Sequence, residues 1–371
     1  MKKSAFFATA LFLGLVALVP ASTFARTNRN AYVVSNINGM VDVIDTKTNT
    51  VSTTISGFTH PFCLTVSPNG KLLYVCNTNN TVSVVDTESN LIKATISLPG
   101  ALGFVGQEGF GPNVAFSRHG ERAYVVTSGG GVNSSLFVID TESSSVLSSQ
   151  SFGATFLLAV AASRDNDNLY LATTSGILVV DADGDAATTT IASGHFIGDL
   201  ALSPNGEKLY ASDSSSVLGP PNTNGVLVVN TDTNTLEATV PLPGSPSFIT
   251  GLAVTPDGRH VYVEDFFFLA GNSTVTVVDT RDNLIDTTIT ANGLSLTSLA
   301  ITTDGKKVLA TNAILSATVH STVAVIDTKD NTIDDSITVG LFSDVVATQP
   351  SNRHHGDNDD HDNDGQGDHD R

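Results

Sequence analysis

The stretch FCLTVSPNGKLLYVCNTNNTVSVVDTESNLIKATI, residues 62–96, decides the fold because it contains four short apolar segments separated by turn signals. The first segment carries Leu64 and Val66, and Ser-Pro-Asn-Gly follows it, with Pro68 fixing φ and Gly70 free to adopt a left-handed backbone. Residues 72–76, 82–85 and 91–96 supply three more β-rich segments. One such four-stranded sheet has two apolar faces, so it needs neighbouring copies to cover them.

Copies of this unit fill most of the chain. The third-strand pattern VSVVDT recurs as VDVIDT, LFVIDT, ILVVDA, VLVVNT, VTVVDT and VAVIDT, which makes seven copies. The Asp or Asn at the fifth position of this pattern recurs at intervals of 41 to 54 residues, the spacing typical of propeller blades. We therefore predict an all-β, seven-bladed β-propeller of four-stranded antiparallel blades over residues 31–350.

The two ends of the repeat region complement each other. The first copy opens at Ala31 with a second strand and lacks a first one, whereas residues 343–348 match a first strand with nothing after it. The C-terminal strand is expected to complete blade one and so to close the ring, which removes two unpaired sheet edges.

The repeated residues also carry a family resemblance. SPNGK at 67–71, YVCN at 74–77 and VVDT at 84–87, with their echoes along residues 31–350, resemble the YVTN-repeat β-propellers, which include the YncE-like exported proteins. The resemblance implies the propeller fold and an exported or surface protein with a binding role. It implies little about chemistry, because these are turn and packing residues.

Composition restricts the partners and the compartment. The net charge is −19 and the sequence pI about 4.6, so nucleic acid and anionic membranes are not expected as partners. Residues 1–25 have Lys2 and Lys3 before an apolar run and are predicted to be a signal peptide. We expect an exported protein, periplasmic or extracellular, monomeric, with no transmembrane segment after signal cleavage.

The two cysteines, Cys63 and Cys76, fall on the first two strands of one repeat. Export permits a disulfide. A two-residue loop at Asn69-Gly70 would place the cysteines opposite each other, whereas a bulge at Gly70 would put them on opposite faces of the sheet. Pro68 before a left-handed Gly favours the bulge, and hence two cysteines that do not bond.

Loop length varies on one face only. The loops between strands two and three are long at 128–135, 214–225, 266–273 and 313–321, while the opposite turns stay short. Variable loops on one face of a repeat protein are typical of a binding side.

Polar residues end the second strand of every copy on this face. They are Ser35, Asn77, Thr127, Thr173, Asp213, Asp265 and Asn312. One interpretation is a ring of oxygen ligands, in outline similar to the calcium-dependent propeller lactonases, which makes a metal-dependent hydrolase the alternative function. The other is that these side chains cap loops. We retain Asn77, Asp213, Asp265 and Asn312 as candidate ligand-binding residues.

Aromatic residues precede the first strands of most copies. They are Phe62, Phe110, Phe156, Phe196, Phe248 and Phe342, with His60 and His195 beside two of them. Rings between blades are one interpretation and an aromatic channel mouth is the other. The run Phe266, Phe267 and Phe268 cannot all point inward from an extended segment, so it is a candidate contact patch.

The C-terminal residues 351–371 contain no apolar side chain and are predicted to be a disordered tail. Asp360, Asp362, Asp364 and Asp368 fall at the carboxylate positions of a calcium loop, and His361 adds a nitrogen ligand. Arg371 replaces the usual bidentate Glu. Calcium or another divalent metal is therefore the candidate cofactor of this tail.

Common catalytic motifs such as Gly-x-Ser-x-Gly and His-Glu-x-x-His are absent from the sequence. We expect binding of a protein or small-molecule ligand at the long-loop face rather than catalysis.

Overall fold

A computed structural model describes residues 29–99, 113–128, 134–183, 187–218, 224–243, 248–266, 272–314 and 318–350. It contains seven four-stranded antiparallel sheets arranged as a seven-bladed β-propeller, which confirms the predicted fold class. In every blade, strand one lies at the central channel and strand four at the outside.

The strands are numbered in chain order. Blade 1 contains β1 (Asn30–Ser35), β2 (Met40–Asp45), β3 (Thr50–Ser56) and β28 (Val346–Thr348), and blade 2 contains β4 (Pro61–Val66), β5 (Leu72–Asn77), β6 (Thr81–Asp86) and β7 (Leu91–Ser97). Blade 3 contains β8 (Val114–Phe116), β9 (Arg122–Thr127), β10 (Ser134–Asp140) and β11 (Ser145–Gly153). Blade 4 contains β12 (Leu157–Ala162), β13 (Asn168–Thr173), β14 (Gly176–Asp181) and β15 (Ala187–Ile191).

The remaining blades follow the same order. Blade 5 contains β16 (Ile197–Leu202), β17 (Lys208–Asp213), β18 (Gly225–Asn230) and β19 (Thr235–Pro241). Blade 6 contains β20 (Phe248–Val254), β21 (His260–Phe266), β22 (Asn272–Asp279) and β23 (Leu284–Asn292). Blade 7 contains β24 (Leu296–Ile301), β25 (Lys307–Asn312), β26 (Thr322–Asp327) and β27 (Thr332–Thr338).

The ring is closed by the C-terminal strand, as predicted. β28 pairs antiparallel with β1 through Ala31↔Thr348, Tyr32↔Ala347 and Val33↔Val346. The Gln349 amide continues the contact by donating its backbone N–H to the Asn30 carbonyl at 2.9 Å. Blade 1 is thus assembled from both ends of the repeat region.

The repeated Asp and Asn residues act through local turn chemistry. In blade 1, Asp45 Oδ1 accepts the backbone N–H of Lys47 at 2.8 Å, and Asn49 ends that turn with φ 55°. Corresponding turn positions in other blades hold Asn90, Asn234, Asn283 and Asn331, all with positive φ. Asn tolerates the left-handed backbone better than most residues, so the repeat places it where the turn demands it.

The core lies between blades as well as within them. Tyr32, Tyr74, Tyr124, Tyr170 and Tyr262 on the second strands are fully buried. The Tyr170 hydroxyl donates to Asn234 Oδ1 at 2.8 Å, and the Tyr262 hydroxyl donates to Asn331 Oδ1 at 2.6 Å, in each case on the following blade. Tyr170 and Tyr262 therefore bond the outer turn of the next blade as well as filling space in the core.

The prediction that Cys63 and Cys76 do not bond is wrong. They form a disulfide with a Cα–Cα distance of 5.1 Å and are register partners in the β4–β5 pair. Gly70 is left-handed, with φ 71°, as the bulge hypothesis required. The hairpin closes between Ser67 and Leu72, however, so its loop has four residues, and an even number preserves the register of a two-residue loop.

Candidate functional site

The propeller has two faces at opposite ends of its strands, and we name each face after the loops that it holds. The short-turn face holds the turns joining strands one to two and three to four. The long-loop face holds the loops joining strands two to three and the connections between blades. Inner strands run from the long-loop face to the short-turn face.

The polar residues that end the second strands lie at the long-loop face and are all buried. Asn77 Oδ1 accepts the Thr59 backbone N–H at 3.0 Å, and its amide group donates to Thr81 Oγ1 at 3.1 Å. Asn312 makes the matching pair of bonds, from Ser295 N at 2.8 Å and to Thr322 Oγ1 at 3.1 Å. Both side chains thus tie a blade connection to the adjacent loop.

Asp213 differs because it contacts a half-exposed histidine. Asp213 Oδ2 lies 2.7 Å from His195 Nδ1, and their side chains are 3% and 38% exposed. Asp213 Oδ1 accepts the backbone N–H of Ser215 at 3.0 Å and also its hydroxyl. Because Ser215 bonds the aspartate and not the histidine, these three residues do not form the relay of a hydrolytic triad.

Three aromatic residues lie at the same ends of blades 5 and 6 as this pair. Phe196 and Phe248 make an edge-to-face contact with centroids 5.9 Å apart, and Phe248 is the register partner of Phe266. All three rings are half-buried, whereas Phe62 is buried. We call His195, Phe196, Asp213, Phe248 and Phe266 the blade 5–6 mouth.

The other predicted site residues are placed elsewhere or are not described. His60 is exposed beside blade 2, far along the ring from the blade 5–6 mouth, and Asp265 is buried at the end of β21. Phe267 and Phe268 lie outside the described residues. So do Asp360, His361, Asp362, Asp364 and Asp368 of the tail.

Two buried acids, Asp199 in the channel wall and Glu264 bonded to the wall residue Thr250, were not among the predicted site residues. Asp199 on β16 accepts backbone N–H groups from Leu200 at 2.6 Å and from Leu252 of blade 6 at 2.7 Å. Burial raises the pKa of Asp199 to about 7. Burial also raises the pKa of Glu264 on β21 well above its usual value, and Asp265 and Asp199 add to the shift.

The signal for Glu264 was available in the repeat. Its column, directly before the polar residue near the end of the second strand, holds Cys76, Val126, Ala172 and Thr311 in other blades. An acid among small and apolar residues departs from the packing pattern and marks a functional candidate.

Basic residues are distributed on one face only. Every lysine and arginine of residues 29–350 lies in a turn of the short-turn face or within three residues of a strand end that meets it. They are Arg29, Lys47, Lys71, Lys93, Arg118, Arg122, Arg164, Lys208, Arg259, Arg281, Lys306, Lys307 and Lys329. Near the long-loop face, Asp213, Asp265 and Asp344 are buried, so this face exposes no described carboxylate or basic side chain other than histidine.

Within the described residues, no group of three or more His, Cys, Asp or Glu side chains could hold a metal ion. In the same part of the chain, no helix is long and apolar enough to cross a membrane.

The chain is similar in fold to solved β-propellers. A functionally unknown protein from Desulfotomaculum acetoxidans DSM 771 superposes with a TM-score of 0.67 at 15% identity, covering 87% of this chain and 99% of that one. Kuenenia stuttgartiensis hydrazine synthase gives 0.64 at 20% identity, over 82% and 93%. The Cps50 (Swd1) β-propeller domain of Myceliophteria thermophila gives 0.62 at 12% identity, over 81% and 92%.

These likenesses define the class, a seven-bladed β-propeller. No family model matches the chain. No curated protein matches it in sequence either. Identities this low indicate the fold alone, so a function has to be argued from the faces of this molecule.

Proposed function

We propose that the protein is an exported binding protein that recognises a protein or small-molecule ligand through its long-loop face. The observation that carries this proposal is that the described part of this face exposes no carboxylate, lysine or arginine side chain, on a chain whose net charge is −19. Depletion of charged residues together with aromatic enrichment distinguishes the core of a protein interface from ordinary surface. The blade 5–6 mouth supplies half-buried rings at the same face.

Export is part of the proposal, and two features support it. The first 25 residues have the composition of a signal peptide. The Cys63–Cys76 disulfide is the kind of bond that persists in oxidising compartments.

A metal-dependent hydrolase has less support. The column that would supply its ligands uses Asn77 and Asn312 to cap backbone groups, and Asp213 is engaged by His195 and Ser215. No described cluster offers three metal ligands.

The proposal can be tested by introducing a lysine at an exposed position of one face or the other. Thr78→Lys and Ser193→Lys add a cation to exposed positions of the long-loop face, and Thr233→Lys adds the same charge to an exposed turn of the short-turn face. Full-length proteins are immobilised and exposed to extract from the cells that produce them, and retained species are quantified by mass spectrometry. We expect species retained by wild type and Thr233→Lys to be lost from both long-loop variants.

The proposal fails if the long-loop variants retain the same species as wild type, or if only Thr233→Lys loses them. Melting temperatures of all three variants serve as the folding control. Each substitution is at an exposed position, where changes typically alter stability by less than about 0.5 kcal/mol.

A further inference from the structure

The central channel contains a cavity of about 350 Å³. Inner strands of five blades line it together with Asn113, which precedes β8 of blade 3, and its wall extends from the level of Asp199, Thr250 and Ser298 towards the short-turn face. Below that level the wall is mostly aliphatic, with residues such as Leu252 and Ile301. The volume falls in the range of small-molecule sites, and the wall has a polar level joined to an apolar one.

Asp199 is fixed at the polar level by both of its carboxylate oxygens. Oδ1 accepts Leu200 N–H and Oδ2 accepts Leu252 N–H, so the side chain bridges the inner strands of blades 5 and 6. Corresponding positions in other blades, opposite the residue directly before the polar residue near the end of strand two, hold Cys63, Ala159, Gly251 and Ser298. Asp199 is thus an acid at a position that other blades fill with neutral residues.

Glu264 supplies a second acid at the same level. It is the register partner of Gly251, against which Ser298 and Leu299 of blade 7 pack closely. Thr250 of the cavity wall donates its hydroxyl to Glu264 Oε2. Glu264 Oε1 is fully buried and has no hydrogen-bond partner among the described residues. A buried carboxyl group with an unpaired oxygen is costly to ionise, and a positive charge held beside Thr250 would lower that cost.

The charged groups around Asp199 and Glu264 indicate whether the ligand is a cation or an anion. Asp265 and Asp199 are the charged groups that act on Glu264, and both are acids. The lysines and arginines of residues 29–350 lie at the short-turn face, and none is on the inner strands. An anionic ligand would add repulsion to two buried acids, whereas a cation would offset them.

We infer that the channel binds a primary alkylammonium ion, with its nitrogen at the level of Asp199 and Thr250 and its aliphatic chain against Leu252 and Ile301. An ammonium group has three donors, which suit the Asp199 carboxylate and the free lone pairs of the Thr250 hydroxyl. A divalent metal is a poorer fit because the described residues offer no cluster of three ligands. This site opens towards the short-turn face and is independent of the proposed long-loop binding.

Proton release should accompany binding. Burial raises the pKa of Asp199 to about 7 and that of Glu264 well above its usual value, and an incoming cation favours the ionised forms of both acids. Affinity for the amine is therefore expected to increase between pH 6 and pH 8.

The test is calorimetry of the full-length protein with n-butylammonium chloride, using n-butanol as a matched uncharged ligand. We expect saturable binding of the amine, release of protons seen as a dependence of the heat on buffer ionisation enthalpy, and no binding of butanol. Asp199→Asn and Glu264→Gln should each weaken amine binding at least tenfold. Asp232→Asn removes a carboxylate from an exposed turn and should leave binding unchanged.

The inference is overturned if the amine does not bind, if butanol binds as well as the amine, or if both channel variants bind like wild type. If Asp199→Asn fails to fold because it loses a backbone hydrogen bond, Glu264→Gln alone decides. That amide keeps the acceptor for Thr250 and matches the shape of the protonated acid.

Discussion

At the scale of single residues, the main finding is that one acid, Asp199, is buried in the otherwise neutral wall of the channel cavity, and that a second buried acid, Glu264, bonds the wall residue Thr250. Glu264 accepts one hydrogen bond from Thr250, and Asp199 accepts two from backbone amides. Burial outweighs these bonds and raises the pKa of both groups. The folded protein therefore favours the protonated form of each acid more than the unfolded chain does.

A consequence for stability follows. A group whose pKa is higher in the folded than in the unfolded protein stabilises the fold at low pH, and that stabilisation is lost as the pH rises through the folded-state pKa. For Asp199 the window runs from about 4 to about 7. Wild type should therefore become less stable between pH 5 and pH 8.

Glu264→Gln should reduce this loss because the amide stays neutral at every pH. We expect the variant to match wild type at pH 5 and to be more stable than wild type at pH 8, because burial raises the pKa of Glu264 and the amide has no proton to lose. Urea unfolding at the two pH values measures the difference. An equal difference from wild type at both pH values would contradict the assignment of a raised pKa.

The residues of the candidate sites also show which features can be predicted from the sequence and which cannot. The polar column at the ends of the second strands was recognisable, but the pairing of Asp213 with His195 depends on a connection between blades whose path the repeat does not encode. Glu264 was visible as an exception in its column. Asp199 was not, because its column tolerates several residue types.

At the scale of elements, each blade is predictable because turn residues and strand periods agree. The Cys63–Cys76 hairpin is the exception. Sequence correctly places Gly70 in a left-handed turn, but the register depends on where the hairpin closes, and closure between Ser67 and Leu72 adds two loop residues without changing parity. The residues of the loop thus determine the conformation of the turn, but they do not determine which residues of the two strands pair.

The disulfide should contribute measurably to stability. It closes a short loop, with a sequence separation of 13, for which the chain-entropy model gives about 3 kcal/mol. Cys63→Ser with Cys76→Ser is expected to lower the free energy of unfolding by about that amount in urea titrations.

Reduction of wild type with dithiothreitol is the matched control and should reproduce the stability of the double variant, which itself should not respond to the reductant. Equal stability of the variant and oxidised wild type would show that the bond adds nothing.

At the scale of the whole molecule, closure of the ring depends on one short strand. β28 makes three register pairs with β1 and places Val346 and Ala347 in the cores on either side of blade 1. Without it, β1 has an unpaired edge at the channel and two interblade cores lose part of their packing.

Truncation distinguishes this strand from the tail. A chain ending at Gly340 should lose cooperative unfolding or melt at a much lower temperature, whereas a chain ending at Pro350 should melt like the full-length protein. Differential scanning calorimetry of the two chains is the measurement. Similar melting of the Gly340 chain would mean that β28 does not hold the ring together.

Closure of the ring also determines the face from which the protein can be attached to a tag, a dye or a surface. β1 starts and β28 ends at the short-turn face, where Gln349 bonds Asn30. A tag, dye or surface anchor joined before Arg29 or after Pro350 therefore leaves from the side opposite the long loops. Sensors built by coupling either terminus will present the charge-poor face to solution, which makes terminal immobilisation the suitable geometry for ligand screening.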